Sequence, residues 1–339
     1  MKFIHTADTH LGFEFTKMNQ SHPEGRKRRA DAIFRNFETV VQYAVDAEAD
    51  LFIHSGDLFN KYDVPREVID ELVQPLVALA HTGVRVLVLP GNHERSEFPF
   101  DLFQGTRGIY VFDRPKSICL DIGGYCVGFA GFPFIPHDSG RTFLRVLSDT
   151  GYQDLKTDMN VLVTHQAFDQ AMVGPRGFVF RAGRPDTVSR ERVPPDFDYV
   201  AAGHIHRYQI LPHPLKPDCS FVYPGSTQRM SFAEKDEDKG FIEGEDLNNR
   251  IETRFIPLPA FDMETVELQA AGLTRAECER AILNQAWRFQ EDLVIRFHLT
   301  GGKKLRDYAE PDYDKIRSKM PPALECQFAV RTTSRWVMR

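Results

Sequence analysis

Val84-Arg85-Val86-Leu87-Val88-Leu89, running straight into Pro90-Gly91-Asn92-His93-Glu94, is the stretch whose reading decides the fold. Its first half is apolar and β-branched apart from Arg85, the pattern of a strand buried in a sheet. Pro90 and Gly91 then break the strand and leave an amide and an imidazole side by side. An amide oxygen is a hard ligand, and an imidazole can bind a metal or move a proton.

Other strand ends offer matching chemistry. Phe3-Ile4 leads to Asp8-Thr9-His10-Leu11-Gly12, and Leu51-Phe52-Ile53-His54 leads to Ser55-Gly56-Asp57. Val161-Leu162-Val163-Thr164 ends on His165, and Tyr199-Val200-Ala201-Ala202 ends on Gly203-His204-Ile205-His206. Each polar group sits just past the carboxyl end of an apolar strand, the rim at which open α/β sheets bind ligands. Asp8, His10, Asp57, Asn92, His165, His204 and His206 can therefore converge although they lie far apart in sequence. Oxygen and imidazole donors together suit Mn²⁺, Fe or Zn²⁺ better than Ca²⁺. They are too many for one open site, and two metals sharing one carboxylate is the economical arrangement. Such a pair stabilises the attacking and leaving oxygens of a phosphoryl displacement.

These ordered motifs resemble those of the calcineurin-like metallophosphoesterases. Within that superfamily the chain is most similar to the Mre11 and SbcD DNA-repair nucleases. Pro224-Gly225-Ser226-Thr227-Gln228-Arg229, followed by Lys239-Gly240-Phe241, resembles the segment after the last histidine pair in that branch. The resemblance implies an α/β fold, a two-sheet α/β/β/α sandwich over residues 1–258, with a small α+β capping and DNA-contact domain over 262–339. It implies a DNA nuclease, exonuclease or single-strand endonuclease, working in DNA repair with two divalent metal ions, Mn²⁺ foremost. One metal would take Asp8, His10 and His206, the other Asn92, His165 and His204, with Asp57 bridging. His93 would be the catalytic proton donor, and Asn60, Arg229, Arg176 and Arg181 would meet the substrate. DNA and a Rad50/SbcC-type SMC-like ATPase are the implied partners, with a homodimer as a further possibility and no membrane. One position departs from the family pattern: many members carry a histidine three residues after the bridging aspartate, where this chain has Asn60. Two other functions stay open on the same sequence, a small-molecule phosphodiesterase or phosphatase and a DNA-end tether with weak cutting.

Composition narrows the setting. The chain has 339 residues, 42% of them apolar, enough for one large and one small domain. No run of about 18 uncharged apolar residues offers a membrane span, and Met1-Lys2 enters a strand at once rather than a signal peptide. The five cysteines, Cys119, Cys126, Cys219, Cys278 and Cys326, are scattered and read as buried reduced thiols of a cytoplasmic protein. The net charge of −6 argues against a whole-surface polyanion binder, so DNA contact needs local basic patches. Arg26-Lys27-Arg28-Arg29 is one candidate, the arginines of the 174–192 segment a second, and the turn with Lys303, Lys304 and Arg306 a third.

Along the chain, 14–25 reads as a loop and 26–47 as a helix, with Ile33, Phe34, Phe37, Val40, Val41 and Ala44 at helical spacing. A second helix is expected over 65–82, giving a β-α-β-α-β opening and parallel pairing. Short strands are expected at 110–112, 117–121 and 125–130 around a Gly123-Gly124 hairpin turn, a helix over 139–148, and strands at 207–211, 219–223, 240–245 and 251–257. Pro257-Leu258-Pro259 reads as a linker, followed by helix 274–288, strand 293–299, helix 313–320 and strand 324–330. His5 and His54, inside strand ends, are expected to be satisfied core groups rather than ligands.

Overall fold

The computed structural model describes residues 1–13, 23–61, 63–94, 100–103, 105–247, 250–289, 293–321, 325–332 and 336–338. Part of the expected 14–25 loop, and Leu324 at the start of the last expected strand, lie outside them. The chain divides into two compact units, one of Met1–Phe13 with Ile33–Ala260, the other of Glu14–Ala32 with Phe261–Arg339.

The first unit is built on strands β1 (Lys2–Thr6), β2 (Leu51–His54), β3 (Arg85–Val88), β4 (Ile109–Val111), β5 (Lys116–Ile122), β6 (Tyr125–Gly131), β7 (Met159–His165), β8 (Met172–Val173), β9 (Phe178–Val179), β10 (Tyr199–Gly203), β11 (Gln209–Pro212), β12 (Ser220–Tyr223), β13 (Lys239–Asp246) and β14 (Ile251–Leu258). Helices α1 (Pro23–Asp46), α2 (Arg66–His81) and α3 (Ser139–Ser148) complete it, with the first turns of α1 falling in the second unit. One sheet has the order β14-β13-β1-β2-β3-β4 and the other β11-β12-β10-β7-β6-β5. Strands β1 to β4 pair in parallel, as do β6, β7, β10 and β12; antiparallel strands finish one edge of the first sheet, the other being β4, and both edges of the second.

Alternation along each strand explains why the apolar runs are unbroken. Phe3, Leu51, Ile53 and Leu87 meet Phe129, Val161, Val163, Tyr199 and Ala201 between the two sheets. The intervening Ile4, Phe52, Val86 and Val88 turn outward onto Ile33, Phe37, Val40 and Ala44 of α1 and Leu72, Leu76 and Leu79 of α2. On the second sheet Leu162, Val200 and Ala202 pack outward with Phe143 and Leu147 of α3. A strand with both faces covered carries no polar alternation. The unit is thus the expected α/β/β/α sandwich.

In the second unit β15 (Asp262–Gln269), β16 (Leu293–Thr300), β17 (Glu325–Arg331) and β18 (Trp336–Met338) form one sheet in that order, with α4 (Arg275–Ala286) and α5 (Tyr313–Lys319). Ile282 and Ala286 of α4 and Ile316 of α5 pack with Ile295, Phe297 and Phe328 of the sheet. Thr274 caps α4 in a reciprocal pair with Glu277, the capping-box chemistry its Thr-x-x-Glu spacing allows.

Three expectations are corrected. The sequence reading has no strand at 262–269, because its apolar positions change phase between Met263 and Val266. The expected linker at Pro257-Leu258-Pro259 is in part strand, for β14 runs through Leu258 and tolerates Pro257 as an edge strand. Of the five cysteines only Cys219, Cys278 and Cys326 are free and buried, whereas Cys119 and Cys126, on adjacent strands, are joined as a disulfide.

Candidate metal centre

The turns after β1, β2, β3, β7 and β10 meet within the first unit. Asp8, Asp57 and His165 are fully or almost fully buried, as is His10. One ligand atom from each of Asp8, His10, Asp57 and His206 lies within 4.8 Å of every other, and the same holds for Asp57, His165 and His204. Asp57 belongs to both groups. Its Oδ2 lies 3.3 Å from His165 Nε2, 3.7 Å from His10 Nε2 and 3.9 Å from His93 Nε2. Asn92 Oδ1 sits 2.8 Å from His204 Nδ1 and 3.2 Å from His165 Nε2. The structure thus brings together all the residues that the sequence reading names as ligands.

The backbone holds these turns in unusual shapes. Among the described residues the non-glycine positions with positive φ are Asp8, His10, Glu48, Asp57, Asp138, Gln170 and His204. Asp8, His10, Asp57 and His204 are candidate ligands, so strain is concentrated where a site would need it. Hydrogen bonds enforce the geometry: Asp8 N–H donates to Gly56 O (2.9 Å), His10 N–H to Asp57 O (3.1 Å), and His204 N–H to both Asp8 carboxylate oxygens (3.2 and 3.1 Å). His93 N–H donates to Asp57 Oδ1 (3.0 Å). Gly91 is required by this approach, since a Cβ there would fall 2.1 Å from Asp57 Oδ1.

Charge follows from enclosure. Burial alone would raise both aspartates. It pushes Asp8 up to about 6, with His165 and His206 holding it back. At Asp57 the charge and hydrogen bond of His165, then His10 and His93, overcome burial and hold the carboxyl well below the usual range. His165 responds in the opposite sense: burial lowers it, but Asp57 and Asp8 raise it to about 9. His204 is pushed down to about 3 by burial, and the neighbouring His165 adds to that.

The donor set fits divalent cations. Carboxylate and amide oxygens stand with imidazole nitrogens and no thiolate, the mixture that suits manganese, iron or zinc. His10 Nε2 and His206 Nε2 lie 3.0 Å apart. Two nitrogens each about 2.1 Å from one cation and about 90° apart would have that separation. His165 Nδ1–H donates to Ser55 O (2.8 Å), so Nε2 is the nitrogen aimed at the cluster and the one that would give up its proton to a cation.

The substrate candidates are placed less centrally. Asn60 offers its main-chain oxygen to His93 Nδ1 at 2.6 Å. Arg229 Nε donates to Glu237 O (3.2 Å). Arg176, in the turn of the β8–β9 hairpin, and Arg181, just after it, are exposed. Two basic residues of the candidate patches are not available for phosphate: Arg29 is buried and ion-paired with Glu325, and Arg190 is buried with Nη1 donating to Pro212 O (2.6 Å). His5 and His54 are core groups, as expected. His5 bonds Tyr199 Oη (3.0 Å) and Ser55 Oγ (2.9 Å), and His54 Nε2 bonds Thr9 Oγ1 (3.0 Å).

Some residues at the site carry no sequence signal of their role. Glu94, buried and raised to about 8 by burial and Asp57, accepts from Phe59 N–H (2.6 Å) and Gly91 N–H (2.7 Å), tying together the turns after β2 and β3. Phe134 places its ring 5.3 Å from that of His204. Glu234 and Lys239 lie behind His206.

The chain is 29% identical to the DNA double-strand break repair protein Mre11 of Aeropyrum pernix over 66% of its own length and 53% of that protein. It is 31% identical to Mre11 of Haloferax volcanii, covering 80% of this chain and 55% of the relative. With Mre11 of Methanocaldococcus jannaschii it shares 23% identity over 94% of this chain and 81% of the relative. The chain thus spans about half the length of the first two relatives. Residues 1–208, which carry both ligand groups, match the Calcineurin-like phosphoesterase family, and the chain is a member of that family.

Proposed function

We propose that this chain is a metal-dependent DNA nuclease that hydrolyses phosphodiester bonds at DNA ends or within single strands during DNA repair. The observation that carries this reading is Asp57, which faces both ligand groups at once. The archaeal relatives are named as DNA double-strand break repair proteins, which supports DNA as the substrate. Two divalent cations, manganese before iron or zinc, would supply Lewis-acid stabilisation of the attacking and leaving oxygens. Asp8, His10 and His206 would hold one, Asn92, His165 and His204 the other, with Asp57 between them. His93, as the imidazolium, gives the Nε2 proton to the leaving oxygen and keeps the Nδ1 proton on Asn60 O. Asn60, Arg229, Arg176 and Arg181 engage the DNA, and residues 262–339 cap it. An SMC-like ATPase of the Rad50/SbcC type, a second copy of the chain and a cytoplasmic setting complete the reading. Among the described residues no helix is long and apolar enough to cross a membrane.

The test is Mn²⁺-dependent cleavage of end-labelled linear DNA and circular single-stranded DNA, run beside bis-p-nitrophenyl phosphate. Cleavage of DNA, abolished by chelation, is expected. Hydrolysis of the small diester alone would make the chain a small-molecule phosphodiesterase, and metal-independent DNA binding without turnover would make it a tether.

A further inference from the structure

Behind His206 the chain builds a closed polar cage. Its centre is Glu234, 7% exposed, in a short turn after β12. Oε1 of Glu234 lies 3.3 Å from His206 Nδ1 and accepts from Ser231 Oγ–H (3.0 Å). Oε2 accepts from Lys239 Nζ (2.8 Å), Met230 N–H (3.2 Å) and Ser226 Oγ–H (3.4 Å). Lys239, 1% exposed, spends its remaining donors on His206 O (2.9 Å) and Glu237 Oε2 (3.2 Å). His206 is thus held at both ends, its carbonyl by Lys239 and its ring by Glu234.

A buried ion pair of this kind does not by itself stabilise a fold, because desolvation offsets the attraction. Its geometry has a second consequence. A carboxylate on Nδ1 keeps the proton on that nitrogen and turns a bare Nε2 toward Asp8, His10 and Asp57, where His206 Nε2 stands 3.8 Å from Asp8 Oδ1. Two carboxylates around one ammonium also leave one negative charge in excess beside the ring, which favours a cation on its far side.

The geometry points to Glu234 as the positioning residue of His206, fixing its tautomer and raising its basicity toward a divalent cation, while Lys239 anchors Glu234 and the His206 carbonyl. This rests on the two-metal reading above. Glu234 is not a ligand, since it touches the nitrogen that faces away from the cluster.

The test is Mn²⁺ binding by the full chain, followed by electron paramagnetic resonance titration and elemental analysis. Wild type is expected to bind two Mn²⁺. Glu234→Gln is expected to lose affinity roughly 10–100-fold at one site, the size usual for such a partner of a ligand histidine, and to leave the other within about twofold. Glu234→Gln with Lys239→Gln restores the net charge of the cage, now carried by Glu237, but leaves no carboxylate on His206 Nδ1, so the weak site should stay weak. Should the single variant not fold, the double variant alone decides. Two unchanged isotherms in Glu234→Gln would overturn the assignment. So would recovery of metal affinity in the double variant, which would make net charge, and not the contact with Nδ1, the contribution of Glu234. No Mn²⁺ on the wild type would overturn the two-metal reading itself, and this assignment with it.

Discussion

The Nδ1 of His93 donates a hydrogen bond to the main-chain oxygen of Asn60, 2.6 Å away, and its Nε2 stands 3.9 Å from Asp57 Oδ2. The first contact holds the proton of Nδ1, so the proton that moves is the second one, carried on Nε2 of the imidazolium. The second keeps the free nitrogen at the cluster, on a side chain still 36% exposed and so within reach of a substrate. We therefore expect His93→Ala to keep both metals and DNA affinity but to cut DNA about 10²–10⁴-fold more slowly, the usual worth of general acid help. The loss should be smaller on p-nitrophenyl esters, whose leaving group needs little protonation. Metal content, DNA affinity and both rates are to be measured on one preparation. A missing metal would make His93 a ligand, and equal loss on both substrates would remove the acid role.

Asp57→Asn should empty both sites together, because one carboxylate lies in both ligand groups. Elemental analysis of the purified variant checks this. Loss of a single metal would confine Asp57 to one site.

What sequence could reveal here depended on how local the cause was. β2, β3, β7 and β10 are legible because both their faces are covered, and the motifs stand out because each follows such a strand at once. Where the cause is distant, nothing local announces it. Glu234 reads as one more acidic residue until folding sets it between Lys239 and His206. Arg29 reads as part of an exposed basic run until Glu325, near the other end of the chain, meets it. β15 stays hidden because its apolar residues change phase, so period-2 alternation never builds up.

That burial changes what the basic run can do. Arg29→Met leaves Glu325 charged and enclosed, so it should destabilise by about 3–5 kcal/mol, whereas Arg29→Met with Glu325→Leu should be close to neutral. Denaturant unfolding of both variants checks this. Lys27 and Arg28 are exposed, and replacing both with Gln probes the run without touching the Arg29 pair. If they meet phosphate, the slope of log affinity against log salt should fall by roughly 1–2. An unchanged slope would move the DNA path to Arg176 and Arg181.

The last prediction concerns acid stability and His5. Its ring is enclosed between Tyr199 and Ser55, where a neutral imidazole donates through one nitrogen and accepts through the other. Burial, with the neighbouring His54 adding to it, pushes its pKa down to about 3 from an ordinary value of 6.5. The unfolded chain therefore takes up a proton at this position below about pH 6.5, while the folded chain resists until about pH 3. The sign is that of a depressed folded pKa. The contribution of His5 is fully present above about pH 6.5 and is lost progressively as pH falls toward 3, at about 1.4 kcal/mol per pH unit within the window. His5→Gln keeps a donor and an acceptor but has no titrating proton, so its stability should fall less steeply by that slope. Urea unfolding from pH 7.5 to 4.5 of both proteins, in chelator so that metal uptake does not contribute, measures the difference. His54 is pushed down to about 3 by burial and His165, so adding His54→Gln should remove a second proton of slope. Parallel curves for wild type and His5→Gln would mean that His5 takes up a proton as readily folded as unfolded, so that its enclosure does not lower its pKa.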